Sequence, residues 1–357
     1  MKKLLLILLC LPFIGFAQQT YVPDDNFEQA LINLGYDNVL DDYVLTSNIS
    51  NVWSLLVEGL NIYDLTGIED FTSLMGLYCA NNQITSLNIS NNIALEELVC
   101  GSSCGSSGGN LLTTLDVTQN INLIYLKCEG NQLTNIDLSN NTLLVDLFLG
   151  ANMLNQLDVS NNPLLKTIGA GFNQLSSVNF NNNPLLESLD LMNNNLTSIN
   201  ISDNNNLLNC NIGSNQLTSI DLSNNVNLTS LLISQNSQLG NLDVSNLNNL
   251  NYLSCGDVGI SSLDVSNNPL LTGLHFAVNN ISNIDLNNNP LISSITCFDN
   301  DLIQLDCSSI PTLSSLDCSN NKLTELNLAN GNNTNFITGY PAAVSYTHLT
   351  LPTKRIV

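Results

Sequence analysis

The chain has 357 residues and a net charge of −23, although only 10% of its residues are charged. Asn, Ser and Thr must therefore supply most of the polar surface. With seven Lys and Arg residues in total, the sequence lacks the basic footprint that phosphate binding requires, which excludes nucleic acid as a partner. No segment beyond the first 17 residues is apolar enough to be predicted as a membrane span.

Residues 1–17 have the composition of a secretory signal peptide. Lys2 and Lys3 form the positive region, an apolar run follows, and cleavage is predicted near Ala17. The run is too short to cross a bilayer. The sequence therefore predicts a chain that is secreted or displayed on the outer cell surface, in an oxidising compartment where disulfides are permitted.

Residues 18–51 are predicted to form an N-terminal cap. Within residues 22–35 the pattern predicts a short helix, because Pro23 and the following aspartates mark a start and Phe27 begins one apolar face. A solenoid needs such a cap over its first coil. The acidic pairs of this segment are interpreted as a solvated capping surface, with a binding role as the alternative: Asp24, Asp25, Asp41 and Asp42.

A repeat occupies residues 52–338. The pattern LxxLxLxxNxL recurs at steps of 21 residues, apart from one step of 28 and one of 22, and a looser copy begins at Val52. About 13 repeats of this kind predict a mainly β solenoid with one coil per repeat. Each LxL triplet is expected to be a short strand with both apolar side chains inward, and successive coils should stack in parallel at about 4.8 Å.

One asparagine recurs in nearly every coil. Because an amide offers donors and an acceptor, stacked asparagines can satisfy backbone groups where each strand turns away. Val258 breaks the column, and the region of Ser103 departs from it. The column contains Asn82, Asn131, Asn152, Asn173, Asn194, Asn215, Asn236, Asn279, Asn300 and Asn321.

Cysteines share a second inward column with aliphatic residues. The alternatives for such a cysteine are a nucleophile, a metal ligand, a disulfide or a buried apolar residue. Exchange with residues such as Leu149 and Leu191 favours the last, and stacked parallel side chains do not suit disulfide geometry. We therefore expect a ladder of reduced thiols. The ladder contains Cys79, Cys100, Cys128, Cys255, Cys297 and Cys318, and Cys210 and Cys307 occupy other inward positions.

Two segments depart from the repeat. Residues 101–110, rich in Gly and Ser, predict a loop that leaves the coil and carries Cys104, which is expected to be an exposed free thiol. Residues 344–357 contain no acidic residue, and their first ten translate a sequencing-library adapter. We interpret this tail as non-native, and we expect the natural protein to continue with its own C-terminal region.

The array resembles the bacterial secreted leucine-rich repeat proteins that have 21-residue repeats and a cysteine ladder, of the internalin-J-like kind. The resemblance rests on LxxLxCxxNxL at 123–133 and 313–323 and on LDVSNNPLL at 157–165 and 263–271. It implies a right-handed coil with a parallel, strand-lined concave face. It also implies a secreted or surface-displayed protein that binds a ligand along this face. We expect that ligand to be an extracellular protein or polysaccharide, and the natural full-length form to be a monomer.

Outward strand positions carry residues that the core does not require. Exposed aromatics suit protein or glycan binding, whereas tolerated surface drift is the alternative. Ser254, His275 and Asp299 are considered as a catalytic triad, but an open strand face offers no oxyanion donors, so an enzyme is disfavoured. The candidate ligand-binding residues are Tyr78, Tyr125, Lys127, Phe148, Phe172, Tyr252, His275 and Phe298.

The second half of each repeat presents a column of acidic residues. Repulsion between stacked carboxylates could be relieved by weakly bound Ca²⁺, but no calcium motif is present, and a hydrogen-bonded turn is the favoured interpretation. No cofactor is expected. The predicted function is a surface binding protein, with a spacer or shield without a ligand as the alternative. The column contains Asp116, Asp137, Asp158, Asp221, Asp243, Asp264, Asp285 and Asp306.

Overall fold

The structure is a computed structural model that describes residues 18–102 and 109–331. The predicted signal segment 1–17, the thiol of Cys104 and the predicted non-native tail 344–357 lie outside the described residues. In the part of the chain that is described, no helix combines the length and apolar character needed to cross a membrane.

The N-terminal segment combines a small sheet with two helices. Strand β1 (Gln19–Tyr21) pairs antiparallel with β2 (Tyr43–Leu45), and helix α1 (Asp25–Asn33) lies between them in sequence. Helix α2 (Thr46–Ile49) follows directly. The predicted helix is therefore present but shorter than 22–35. The pairing of β1 with β2 was not predicted, because neither strand has an alternating pattern long enough to recognise.

Asp24 explains where α1 begins. Its Oδ1 accepts hydrogen bonds from the backbone N–H groups of Asn26 and Phe27, both at 2.9 Å, which satisfies two free donors of the first turn. Its Oδ2 accepts from the N–H groups of Tyr63 and Asp64 at 2.7 and 3.1 Å. Asp24 therefore ties the helix to the first coil, which is a structural role rather than a binding one.

The first halves of the repeats form one parallel sheet of thirteen strands, and the second halves of the last two coils form a separate parallel sheet of two strands. Each strand has three residues and begins one residue before the predicted LxL triplet, as in β6, where Leu126 is central and Cys128 follows the strand. A 3₁₀ helix covers Ile68–Asp70. The long sheet contains β3 (Ser54–Leu56), β4 (Gly76–Tyr78), β5 (Glu97–Val99), β6 (Tyr125–Lys127), β7 (Asp146–Phe148), β8 (Thr167–Gly169), β9 (Ser188–Asp190), β10 (Asn209–Asn211), β11 (Ser230–Leu232), β12 (Tyr252–Ser254), β13 (Gly273–His275), β14 (Ser294–Thr296) and β16 (Ser315–Asp317); the short sheet contains β15 (Gln304–Asp306) and β17 (Glu325–Asn327).

The asparagine column joins each coil to the one before it. The Nδ2 of Asn152 donates to the carbonyls of Cys128 and Leu149, both at 3.0 Å, and its Oδ1 accepts from the N–H of Leu133 at 3.0 Å. These backbone groups lie inside the solenoid, where no water would replace the lost partners. One side chain therefore closes its own turn and bridges to the preceding coil.

The predicted departure near Ser103 is a displacement of the column rather than a gap. Asn110, at the end of the Gly/Ser insert, is 2% exposed, accepts from the N–H of Ile84 and donates to the carbonyls of Cys79 and Cys100. The insert therefore postpones the ladder asparagine by seven residues and leaves the coil's closing contacts intact.

A second asparagine column, which sequence reasoning did not identify, lies in the other half of each coil. Asn162 is typical, since its Nδ2 donates to the carbonyls of Leu138 and Asn141 in the preceding coil at 3.1 and 2.8 Å. These side chains are almost completely buried. The column contains Asn92, Asn120, Asn141, Asn162, Asn183, Asn204, Asn225, Asn268 and Asn289.

The inward cysteines lie among the apolar side chains of the core. Cys79, Cys100, Cys128, Cys255 and Cys297 are fully buried, and Cys318 is partly exposed near the last coil. Among the described cysteines, none forms a disulfide. Burial raises the pKa of the Cys79, Cys255 and Cys297 thiols, which keeps these three protonated and unreactive at neutral pH.

Candidate binding face

The outward side chains of the thirteen-stranded sheet form one continuous surface, here called the strand face. The central residue of each strand points into the core, so the first and third residues point outward. The third position carries Leu56, Tyr78, Val99, Lys127 and Phe148 on the five coils from β3 to β7. Four apolar side chains and one lysine thus follow one another over about 19 Å.

Aromatic and charged groups contact each other in this region, here called the first patch (Tyr78, Tyr125, Lys127 and Phe148). The rings of Tyr125 and Phe148 are tilted at 47° with centroids 5.7 Å apart. The ammonium of Lys127 lies 6.0 Å from the centroid of Phe148 and 3.4 Å from the carboxylate of Glu129. These contacts hold the ring of Phe148 in a fixed position at the surface.

The hydroxyl of Tyr78 is also fixed by a neighbour. It donates a short hydrogen bond to the carboxylate of Glu97 on the next coil. This bond, together with partial burial and the negative charge of Glu97, raises the pKa of Tyr78 to about 12. The phenol therefore stays protonated at all physiological pH values, and its ring is oriented across the strand face.

Glycines leave room for rings to lie flat on the strand face. A Cβ at Gly169 would lie 3.0 Å from Phe148 Cδ1, and a Cβ at Gly273 would lie 2.6 Å from Tyr252 Cδ2. A side chain at either glycine would therefore displace the neighbouring ring. These glycines serve the placement of the aromatic surface, because neither has a positive φ angle that would demand glycine.

The second patch consists of Tyr252, His275 and Phe298. A hydrogen bond of 2.8 Å joins His275 Nδ1 to Ser254 Oγ, and another of 2.8 Å joins Ser254 Oγ to Ser234 Oγ. Partial burial lowers the pKa of His275, so the imidazole is neutral at pH 7. The result is a half-buried polar chain beside the exposed ring of Tyr252, which is 41% exposed.

Of the three residues considered as a catalytic triad, the structure joins Ser254 and His275 by a hydrogen bond. Asp299 occupies an exposed left-handed turn position (φ 53°) and is not a hydrogen-bond partner of His275. The backbone N–H of Gly256 donates to Ser234 Oγ at 2.9 Å. Among the described residues, the side-chain hydrogen-bond partner of His275 is therefore Ser254, and no carboxylate completes the considered triad.

Two residues of the first coil extend the first patch, and sequence reasoning missed them. Leu56 pairs in register with Tyr78 and is 61% exposed, and Trp53 just before the strand is 70% exposed. The sequence could have predicted the outward position of Leu56, because aligning the looser repeat from Val52 places Leu56 in the outward column. Phe172 is different, because it lies in a left-handed turn after β8 (φ 57°) rather than on a strand.

The aspartate column forms turns. In each case Oδ1 accepts from the backbone N–H two residues later, as in Asp158 with Ser160 at 2.9 Å. The N–H and the hydroxyl of Ser160 lower the pKa of Asp158. Within the described ranges, no member of this column joins two other ligating side chains closely enough to share a metal ion; the one group of three that does so is in the cap.

The parallel coils, inward leucines and asparagine column together define a leucine-rich repeat protein. Among solved structures, an internalin (InlF) from Listeria monocytogenes is 27% identical with a TM-score of 0.77, over 87% of this chain and 96% of that chain. The functional domain of InlJ from the same organism, which includes a cysteine ladder, is 27% identical with a TM-score of 0.51, over 83% and 79%.

A leucine-rich repeat protein from Leptospira interrogans shares the fold, with 21% identity and a TM-score of 0.65 over 75% of this chain and 71% of that chain. No protein-family profile matches the sequence. A search of curated proteins also finds no match. The predicted solenoid and the resemblance to internalin-J-like bacterial proteins are confirmed, and the neighbours indicate a leucine-rich repeat protein of the ligand-binding class.

Proposed function

We propose that this chain is an exported leucine-rich repeat protein that binds an extracellular protein or glycan through its strand face. The observation that carries the proposal is the first patch. Tyr125 and Phe148 contact each other at the surface, although neither position faces the core. Large aromatic side chains with few degrees of freedom are the residues that dominate recognition surfaces.

The contacts around these rings support the proposal. The positions of Tyr78 and Phe148 are set by Glu97, Lys127 and Gly169, so the rings lose little further freedom when a ligand binds. A ligand of this patch would meet ring faces flanked by the ammonium of Lys127 and by the carboxylates of Glu97, Glu129 and Asp146. That combination of flat apolar area and polar rim suits a protein loop or a sugar ring.

The second patch supports a second contact area on the same face. Tyr252 offers an exposed ring, and the Ser254–His275 pair offers neutral polar atoms. The spacer or shield remains the alternative, and it requires the same outward residues to be dispensable. An enzyme is the third alternative, and it would require turnover that depends on His275.

A binding screen with matched variants tests the proposal. Glycan and surface-protein arrays are probed with the chain, with Tyr125→Ala/Phe148→Ala and with Tyr252→Ala/Phe298→Ala. The control is Asp158→Ala/Asp221→Ala, which changes turns away from the strand face. We expect hits that are lost in at least one aromatic pair and kept in the control.

Other outcomes point elsewhere. If Asp158→Ala/Asp221→Ala loses hits that both aromatic pairs keep, the binding site lies on the opposite side of the coil. A chain without any hit, in a screen that contains known binders as positive standards, would favour the spacer.

A further inference from the structure

In the first patch, the ring of Tyr125 lies between two carboxylates. Strand pairing sets Glu97 of β5 beside Tyr125 on one side and Asp146 of β7 beside it on the other. Adjacent strands are about 4.8 Å apart, so the backbones of the two acidic residues are about 10 Å apart. An aromatic ring at the surface is therefore flanked by negative charge on both sides.

The second patch lacks this arrangement. At the same strand position, the neighbours of Tyr252 are Ser230 and Gly273. The outward residues of β11 to β14 include no Asp, Glu, Lys or Arg. The carboxylates beside the ring are therefore a property of the first patch and not a requirement of the fold.

The lysines near the first patch already contact other carboxylates. Lys127 is the only basic residue in residues 18–165. Its ammonium lies 3.4 Å from the carboxylate of Glu129, and its side chain is only 15% exposed. The next lysine, Lys166, lies 3.2 Å from Glu187. With three carboxylates to one ammonium, the first patch has a net negative charge.

The position of Lys127 shows how this surface holds a cation. Its ammonium lies 6.0 Å from the centroid of the Phe148 ring and close to the carboxylate of Glu129. A cation is attracted both by the face of an aromatic ring and by a carboxylate. The ring of Tyr125, tilted at 47° to that of Phe148 and flanked by carboxylates, presents the same two kinds of group to a second cation.

We propose that the first patch binds an arginine or lysine side chain of an extracellular protein, on the ring of Tyr125 between Glu97 and Asp146. This assignment rests on the proposed function, since it names the ligand class of the same surface. Arginine suits the site best, because its planar guanidinium stacks on aromatic rings and donates to carboxylates. The net charge of −23 attracts a basic partner before contact, whereas a neutral glycan gains no such attraction.

Binding of fluorescently labelled tetra-arginine, followed by anisotropy, tests the proposal. The purified chain is titrated in about 0.15 M NaCl, where charges more than about 8 Å apart are largely screened. Glu97→Gln/Asp146→Asn removes both charges, keeps the rings, and leaves an acceptor for the hydroxyl of Tyr78. The control, Asp190→Asn/Asp317→Asn, removes two carboxylates from the same face on β9 and β16. Both double variants change the net charge equally, so they match in non-specific attraction.

We expect saturable binding by the wild type. The dissociation constant should rise at least about fivefold in Glu97→Gln/Asp146→Asn and at least about threefold in Tyr125→Ala. It should rise less than about twofold in the control. Equal weakening in the two double variants would show diffuse attraction by net charge and would overturn the proposal. Absence of saturable binding up to about 10 mM tetra-arginine would also overturn it.

The array screen separates this inference from the proposed function. Hits that are lost both in Tyr125→Ala/Phe148→Ala and in Glu97→Gln/Asp146→Asn would support a cationic ligand. Hits that the aromatic variant loses and the carboxylate variant keeps would overturn the cationic ligand while leaving the strand face as the binding surface.

Discussion

The inward and outward columns of the same strands follow different rules. Inward, the central strand position is Leu or Ile in nearly every coil, and one asparagine closes nearly every turn. Outward, neighbouring coils carry Tyr78, Lys127, Phe148, Gly169 and Asp190 at one position. Packing and buried hydrogen bonds fix the first set, because each coil must fit the next. The fold does not require particular residues at the outward positions, so selection for ligand binding can determine them.

Alkaline pH should disrupt the inward columns most strongly. Burial raises the pKa of Cys210 and Cys255 to about 12, against about 8.5 for an unfolded cysteine. Because the folded pKa is raised, this stability is fully present below pH 8.5 and is lost as pH rises towards 12. Each thiol can contribute a slope of about 1.4 kcal/mol per pH unit. Guanidinium unfolding under reducing conditions from pH 7 to 11 measures it.

The matched variants are Cys210→Ala and Cys255→Ala, each of which should make the decline with pH less steep. A midpoint that stays constant up to pH 11 would mean that the thiols are not buried in the folded chain.

Removing a ladder asparagine should cost the next largest amount. The side chain of Asn173 donates to the carbonyls of Leu149 and Ala170 and accepts from the N–H of Leu154. Asn173→Ala leaves these buried groups without partners, so we expect a loss of about 2–4 kcal/mol in the free energy of unfolding. Urea unfolding measures it, with the exposed Asn205→Ala as the control. Equal losses in both variants would show that the ladder adds no stability.

A buried hydroxyl in the cysteine column should cost less. Cys128 is fully buried, and Cys128→Ser should destabilise the chain by about 1–3 kcal/mol through the unsatisfied hydroxyl. Cys128→Ala separates this effect from the loss of volume. Thiol labelling supplies a second readout, since the ladder should react only after denaturation. Rapid labelling of Cys128 in the folded chain would contradict its placement.

Substitution of one turn residue, Val278, should stabilise the chain. Val278 has a φ of 57° and is 45% exposed, and β-branched residues are strained in this left-handed region. Other coils place asparagine there, as at Asn81 and Asn193. Val278→Asn should therefore stabilise the chain by about 0.5–1 kcal/mol, measured by thermal unfolding. Destabilisation would show that the side chain of Val278 makes a contact that outweighs the strain.

The sequence predicted the solenoid because its period repeats the same physical requirement in every coil. The apolar columns and the first asparagine column followed from alternation alone. The second column, typified by Asn162, was missed because adjacent asparagines such as those at 161 and 162 look alike until one of them is seen to be buried. Asn110 was missed because the insert shifts its position.

The candidate site was predictable in outline only. Alternation placed Tyr125 and Phe148 outward, but not the contact between their rings or the glycine beneath Phe148. Ser254 and His275 were placed on neighbouring coils, whereas their hydrogen bond depends on side-chain orientation that no spacing encodes. The burial of Glu28 Oε2 without a hydrogen-bond partner was equally unpredictable from the sequence, because it results from the packing of the whole cap.

One paired measurement tests the central claim most directly. The affinity for a ligand from the array screen and the thermal unfolding midpoint are measured for the wild type and for Tyr125→Ala/Phe148→Ala. We predict that affinity falls at least about tenfold, which is 1.4 kcal/mol, while the midpoint changes by less than about 2 °C. Unchanged affinity at unchanged stability, repeated for Tyr252→Ala/Phe298→Ala, would contradict the claim that the strand face binds the ligand.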